Sequence, residues 1–405
     1  MTNPQSAPLA PIAPLAGVRL VAIERFGACP YATAHFADLG ADVIRIEHTK
    51  GGLDAARLTG PFFLGENDSL FYQAFNGNKR SLTLDLKTPE GREILERLVA
   101  SADGVLDNLR GDQPEKLKTT YEHLKAFNKK IVCGHISAYG REDERTAWPG
   151  YDYLMQAEAG FFSLTGEPDS PPSRFGLSMI DYMTGMTMAF ALLAGIMAAR
   201  ESGEGRDVDV SLFDVAMHQL TYPAAWYLNE GHVTRQVARS GHPYSVPSQL
   251  CKTADGWIFI MCQTQKFWEI LCARMGREDL AQDDRFAQSA DRHENRSELS
   301  DILDDVLSAK TTADWIDLFA GDVPCGPVND IAQALDNPYF VKRDGIRTVP
   351  HADKPELKVV ASPIRMGAPV QNRPAPKLGA DNEDILRELG FDAEQIKKLK
   401  DSGVL

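Results

Sequence analysis

From Tyr182 to Ala199 the chain carries an almost unbroken apolar run, and no charge appears until Arg200. A run of roughly 17–20 apolar residues could cross a bilayer. This one is rich in Gly, Ala, Thr and Met, stands alone in the chain, and lacks flanking basic asymmetry. It therefore reads as the central buried helix of a soluble protein. Ser-Gly-Glu-Gly stops it, and the strand signal Asp-Val-Asp-Val-Ser-Leu-Phe follows from Asp207. Asp181 stands at or just before the first turn. From position alone the ordinary use of such a carboxylate is as an N-cap. The sharper use is an ionised carboxylate held at the positive helix end and facing a site.

Around that helix the chain alternates strand and helix patterns. Val18–Glu24, Ala41–Glu47, Ser81–Lys87, Asp103–Asn108 and Lys130–Gly140 read as strands. Gly27–Gly40 reads as a turn and helix, and Thr88-Pro89 is an N-cap and first-turn pair opening another. His48–Asp68 reads as a loop crossing the surface. This alternation implies parallel pairing, hence an α/β fold: a Rossmann-like, doubly wound parallel sheet with a smaller α+β domain. Residues 1–14 read as a Pro-rich disordered leader, 15–221 as the first part of the large domain, 222–330 as the small domain, and 331–405 as a return connector completing the large domain. After the central helix, Val215–Glu230 looks helical; within the small domain, Leu250–Gln263 is a hairpin turning at Asp255-Gly256, and Arg292–Asp322 forms two amphipathic helices. The final stretch holds two short helices with Asp381 and Asp392 as caps.

Across 405 residues the net charge is −14, which argues against nonspecific nucleic-acid or anionic-membrane binding. It leaves room for a local basic pocket. No strand is followed by GxGxxG, and no P-loop, HExxH, HxxxH or GxSxG occurs. Nothing points to a metal or a nicotinamide cofactor. The six cysteines form no CxxC pair and read as reduced, buried thiols, Cys29 among them, which fits a cytoplasmic protein. His242, among turn residues in Ser-Gly-His-Pro, is a loop candidate for a site. Lys87 ends a strand, where open α/β sheets gather ligands. Lys79 and Arg80 fit either phosphate binding or structural ion pairing.

Taken in order, Leu15–Pro30, Leu39–Glu47, Phe75–Leu95, Ala102–Gly111, Gly150–Met186, Val323–Pro338 and Ala375–Gly390 resemble the class III CoA-transferases (the formyl-CoA transferase, carnitine CoA-transferase and BaiF family). That resemblance implies an interlocked homodimer acting on an acyl-CoA and a carboxylate. CoA thioester is the substrate, and no cofactor stays bound. The family's nucleophilic aspartate falls on Asp181. Its CoA-contacting positions fall on Arg25, Gly27, Ala28, His48, Leu84, Lys87, Asn108, Leu109, Arg110 and Lys116, and on Gly150, Tyr151 and Asp152; His242 lies in the stretch that replaces a family glycine loop. Departures are Gly27 for a glutamine, His48 for an arginine, and Leu109-Arg110 for Phe-Gly. Racemases of the same superfamily need a histidine in Gly-His-Asp, and Gly150-Tyr151-Asp152 lacks it. Intramolecular CoA transfer, and CoA binding without turnover, are the other readings. Arg25, Arg174, His48 and His242 are candidate second cations for a dicarboxylate acceptor, with succinyl-CoA as donor and mesaconate, citramalate or itaconate as the acceptor type.

Overall fold

A computed structural model describes residues 13–48, 53–366 and 372–405. The leader expected over 1–14 lies outside the described residues except for its last two. The chain divides into two units: residues up to Met155 with Leu177–Gln219 and Tyr339–Leu405, and Gln156–Gly176 with Leu220–Pro338.

The first unit is built on six parallel strands: β1 (Arg19–Ile23), β2 (Asp42–Glu47), β3 (Arg80–Thr83), β4 (Gly104–Asp107), β5 (Val132–Ser137) and β6 (Arg206–Ser211). Their order across the sheet is β3-β2-β1-β4-β5-β6. This is the doubly wound order, with its topological switch between β1 and β4. β4 and β5 are buried at every position, as strands covered on both faces should be. Helix α1 (Ala28–Asp38) follows β1. Helix α2 (Pro89–Ala100) starts with Thr88 accepting the Gly91 N–H, as Thr-Pro implies. Helix α3 (Met179–Ser202) packs on α1, β5 and β6.

Several expectations need correction. Helix α3 is not buried all round. Its inner face, Ile180, Thr184, Met188, Leu192 and Ile196, lies on the sheet, while Met186, Phe190 and Met197 stand 44%, 77% and 65% exposed. Strand β3 stops at Thr83 instead of Lys87, because the Asp85 N–H turns away to the Val404 carbonyl. The stretch after His48 crosses the surface only in part: Leu58, Phe62 and Phe63 are exposed, but Asp54, Arg57, Asp68 and Ser69 are buried, and Arg57 closes on Glu47 at 2.7 Å. Asp381 holds the N-cap position of its helix, but its side chain makes no cap bond there. Its carboxylate accepts the Ser81 N–H at 2.8 Å.

In the second unit, β7 (Ser248–Lys252) and β8 (Trp257–Met261) form the expected hairpin, and β9 (Cys325–Pro327) adds a third strand that the sequence pattern did not reveal. The helix expected over Val215–Glu230 breaks at Thr221, whose φ of 43° no α-helix accommodates. Arg292–Asp322 contributes to three helices, starting with Ser289–Glu294. Gln156–Gly176 clusters with this unit, where Gln236 Nε2 donates to the Thr165 carbonyl at 2.8 Å.

An edge strand leaves one row of backbone groups open to pairing. Along β3 the C-terminal segment fills that row. Thr83 N–H donates to Asn382 Oδ1 at 2.9 Å, and Asn382 Nδ2 donates to Thr83 Oγ1 at 2.6 Å. Asn382→Ala is expected to lower unfolding free energy by about 1–3 kcal/mol with turnover at 25 °C unchanged, as read by urea denaturation beside a steady-state assay.

Candidate active site

The site grows from the switch between β1 and β4. Beyond Ile23 the chain runs Glu24-Arg25-Phe26-Gly27 into α1; beyond Asp107 it runs Asn108-Leu109-Arg110. These two turns are clamped reciprocally. The Arg25 N–H donates to Asn108 Oδ1 at 2.8 Å, and Asn108 Nδ2 donates to the Arg25 carbonyl at 2.7 Å. Asp54 holds the first turn from the other side, its Oδ1 accepting the N–H groups of Phe26 (3.1 Å) and Ala56 (3.0 Å) while Arg45 engages its Oδ2. Under Asn108, the buried Asp107 carboxylate accepts His135 Nδ1 at 2.7 Å. Burial pulls that imidazole down, but Asp107 and Asp207 together hold it up at about 9, so it is an imidazolium.

Two cavities flank the clamp and share Arg25, Asp54, Asn108, Leu109 and Arg110. One, of about 460 Å³, is lined by His48, Leu84, Lys87 and Gln113 on its far side. Among the described residues, the side chains of Arg25 and Lys87, which line it, have no ion-pair partner. Arg110 also faces Asp112 at 3.4 Å, and His48 Nε2 lies 3.4 Å from Asp85. A strongly acidic chain thus gathers four basic side chains at one cavity, beside Glu24, Glu47 and Asp54, whose carboxylates are paired with Lys79, Arg57 and Arg45. The other cavity, of about 510 Å³, is lined by Gly27, Ala28, Trp148, Gly150, Tyr151 and Asp181.

Asp181 is the third residue inside α3, not its cap; Ser178 holds the N-cap position. Its own N–H donates to Oδ2 of the buried Asp152 at 3.0 Å. Its carboxylate lies against Gly27, where a Cβ would come within 2.9 Å of Oδ2. One turn on, Gly185 lets α3 press on α1: a Cβ there would stand 2.5 Å from the Ala28 carbonyl oxygen. The helix N-terminus favours the ionised form, but it does not hold Asp181 at the ordinary carboxylate value. Burial, and next the Asp152 charge, lift its pKa from 3.8 to about 7.

Of the residues singled out from sequence, Arg25, Gly27, Ala28, His48, Leu84, Lys87, Asn108, Leu109, Arg110, Tyr151 and Asp181 all line these cavities. Asp152 lies behind Asp181 and lines neither. Lys116 lines neither as well, and points out to Asp112. His242 belongs to the second unit, where its Nδ1 accepts the N–H groups of Tyr244 and Ser245. Lys79 and Arg80 are structural: Lys79 is buried on Glu24 at 2.8 Å, and Arg80 pairs with Glu388 at 2.6 Å. Cys29 is buried at the start of α1, and burial raises its thiol well above the usual range, so it is inert. Asp54 escaped the sequence reading, although an Asp before Ala-Ala-Arg-Leu is a helix-start signal.

The profile of CoA-transferase family III matches residues 15–382. The chain belongs to this family. It is 34% identical to the succinate–glutarate CoA-transferase of Agrobacterium fabrum, across 93% of this chain and 96% of that protein. It is 31% identical to a succinyl-CoA:mesaconate CoA-transferase of Haloarcula hispanica, across 92% and 96%. A CaiB/BaiF family protein of Brucella suis superposes with a TM-score of 0.81 at 31% identity, over 93% of this chain and 99% of that one. As a family III CoA-transferase the protein handles CoA thioesters.

A carboxyl group whose pKa rises on folding favours its protonated form in the native state. Its ionisation penalty is absent below the ordinary value and complete once pH exceeds the folded one. Asp181→Asn should therefore stabilise the fold by up to a few kcal/mol at pH 8, with the gain fading toward pH 4. Denaturant melts of both proteins at the two pH values measure this.

Proposed function

We propose that the protein moves CoA from succinyl-CoA to a C4–C5 dicarboxylate of the mesaconate, citramalate or itaconate type, with Asp181 as the nucleophile. Glutarate joins these acceptors on the strength of the relatives' names. The observation that carries the reading is the placement of Asp181: a carboxylate beside Gly27 on the wall of a cavity that shares its border residues with a second cavity carrying four basic side chains. The CoA phosphates fit the basic cavity, where Lys87, Arg110 and Arg25 supply charge and His48 adds a ring nitrogen. The pantetheine arm then passes the Arg25–Asn108 clamp and brings the thioester to Asp181.

In that pose an Asp181 oxygen adds to the thioester carbonyl. The tetrahedral intermediate collapses, the C–S bond breaks, and CoA leaves as thiolate, giving an aspartyl–succinyl anhydride. The thiolate adds to the aspartyl carbonyl and expels succinate, which leaves an aspartyl-CoA thioester. The incoming carboxylate attacks that thioester to form a second anhydride, and CoA thiolate attacks its acyl carbonyl to release the new thioester and free Asp181. Each addition places charge on an oxyanion that nearby N–H donors must meet. A carboxylate with an elevated pKa suits the opening step, since nucleophilicity rises with basicity while the ionised fraction near neutral pH stays large. Tyr151, in place of the racemase histidine, leaves no imidazole base at that position for α-proton transfer.

The protein acts as a homodimer in this reading, the interlocked form implied by the family resemblance. Support comes from the exposed apolar stripe of α3, Met186, Phe190 and Met197, which a partner would cover. The free cysteines fit a reducing cytoplasm.

Two measurements test this. Intact-protein mass spectrometry after incubation with succinyl-CoA should show a CoA-sized adduct, removed by hydroxylamine and absent in Asp181→Ala; an unmodified wild type would refute the covalent route with this donor. Light scattering should return twice the chain mass, and a monomer would refute the dimer.

A further inference from the structure

The second unit holds a cavity of its own, about 290 Å³, the low end of the range for small-ligand sites of roughly 300–1,000 Å³. Its polar lining includes Arg235, Thr165, Tyr222, Thr234 and Ser240, and Leu164, Val237 and Pro243 supply apolar wall. Other arginines of this unit are already engaged. Arg239 pairs with Asp301 and Asp304, Arg296 donates to the carbonyls of His242 and Pro243, and Arg174 donates to those of Phe175 and Gly176. Among the described residues Arg235 has no hydrogen-bond or ion-pair partner, and neither does the Ser240 hydroxyl. The Thr234 hydroxyl oxygen is fully buried and also lacks a partner. A buried hydroxyl without a partner costs free energy, and a ligand that accepts from it removes that cost.

The backbone around the cavity is held in uncommon shapes. Thr221, Arg239 and Ser240 have φ of 43°, 59° and 50°, and a β-branched residue there is a marked outlier. Such geometry gathers at ligand sites, where the surroundings enforce it.

We propose that this cavity binds one carboxylate of a short aliphatic acid. The Arg235 guanidinium supplies its counter-charge, the Thr234 and Ser240 hydroxyls donate to its oxygens, and Leu164, Val237 and Pro243 receive its hydrocarbon. A single cation balances one negative charge, which selects a carboxylate over a phosphoryl dianion. The inference does not rest on the Asp181 chemistry, because the cavity belongs to the other unit.

Calorimetric titration of glutarate, and separately of inorganic phosphate, into full-length protein tests it. Wild type and Asp181→Ala are expected to bind glutarate alike, Arg235→Gln about tenfold or more weakly with its melting temperature unchanged, and Thr234→Val more weakly than wild type with a ligand-free melting temperature no lower than wild type, since it loses a buried hydroxyl without a partner. Phosphate is expected not to compete. Equal glutarate binding by wild type and Arg235→Gln, phosphate displacing glutarate, or no glutarate binding to wild type would overturn the proposal. Kinetics separate the two sources of such an acid. If it is the CoA acceptor, Arg235→Gln raises its KM and leaves that for the thioester unchanged. If it is a separate effector, both KM values stay and only the response of the rate to added unreactive acid is lost.

Discussion

The close crossing of α3 over α1 sets the geometry of the site. Gly185 is a poor helix former, costing about 1 kcal/mol relative to alanine in a helix interior. It persists where the Ala28 carbonyl leaves no room for a methyl group. That contact brings the first turn of α3 down onto the first turn of α1, and so Asp181 onto Gly27. The aromatic rings behind the crossing hold the same line: Tyr182 lies 4.9 Å from Tyr31 and 5.9 Å from Phe75, centroid to centroid. The position of Asp181 therefore follows from backbone packing and does not depend on a hydrogen bond to its own carboxylate.

Below the basic cavity lies a layer of buried charge. Glu24, Arg45, Lys79, Glu47 and Arg57 are each at most 5% exposed, and alternate in sign through contacts of 2.7–3.9 Å. Such networks contribute little net stability, because desolvation offsets their attraction. Their consequence here is positional. Lys79 also binds the Pro30 carbonyl at 3.0 Å, Thr33 donates to Glu24 at 2.6 Å, and Arg45 grips Asp54, which in turn fixes Phe26. The turn carrying Arg25 and Gly27 is thereby tied to strands β1 and β2. Phe26, with φ of 62°, is held in a conformation that a bulky residue adopts only under such constraint.

Legibility followed the range of the interactions. Strands covered on both faces print continuous apolar runs, and a Thr-Pro start or an Asp-Gly turn acts within a few residues, so sheet, helix starts and hairpin could be read locally. The family resemblance named Asp181 and the cavity-lining positions, where spacing alone offered a cap. What escaped depends on partners distant in sequence. Asp152 reaches the Asp181 N–H across 29 positions, and Asp381 leaves its own helix for Ser81 across 300. Arg57 and Asp54 look like surface residues in a polar stretch until the charges of β2 meet them. Periodicity cannot show that α3 has a covered face and a bare one when both faces are apolar.

Asp181 concentrates the opposing demands on this fold. A helix N-terminus favours a negative charge, worth about 0.3–1 kcal/mol at exposed sites and up to about 2 in partly buried ones. Burial and the like charge of Asp152 oppose it, and the pKa of about 7 says that they win. Asp152 acts in two ways: its carboxylate accepts the Asp181 N–H, which fixes the helix start, and its charge disfavours ionisation of the side chain attached to that same residue. A fully stabilised carboxylate would be a weak nucleophile, and a fully neutral acid would be none. A carboxyl poised near neutrality avoids both extremes, and the structure reaches that balance first through burial and then through one buried like charge.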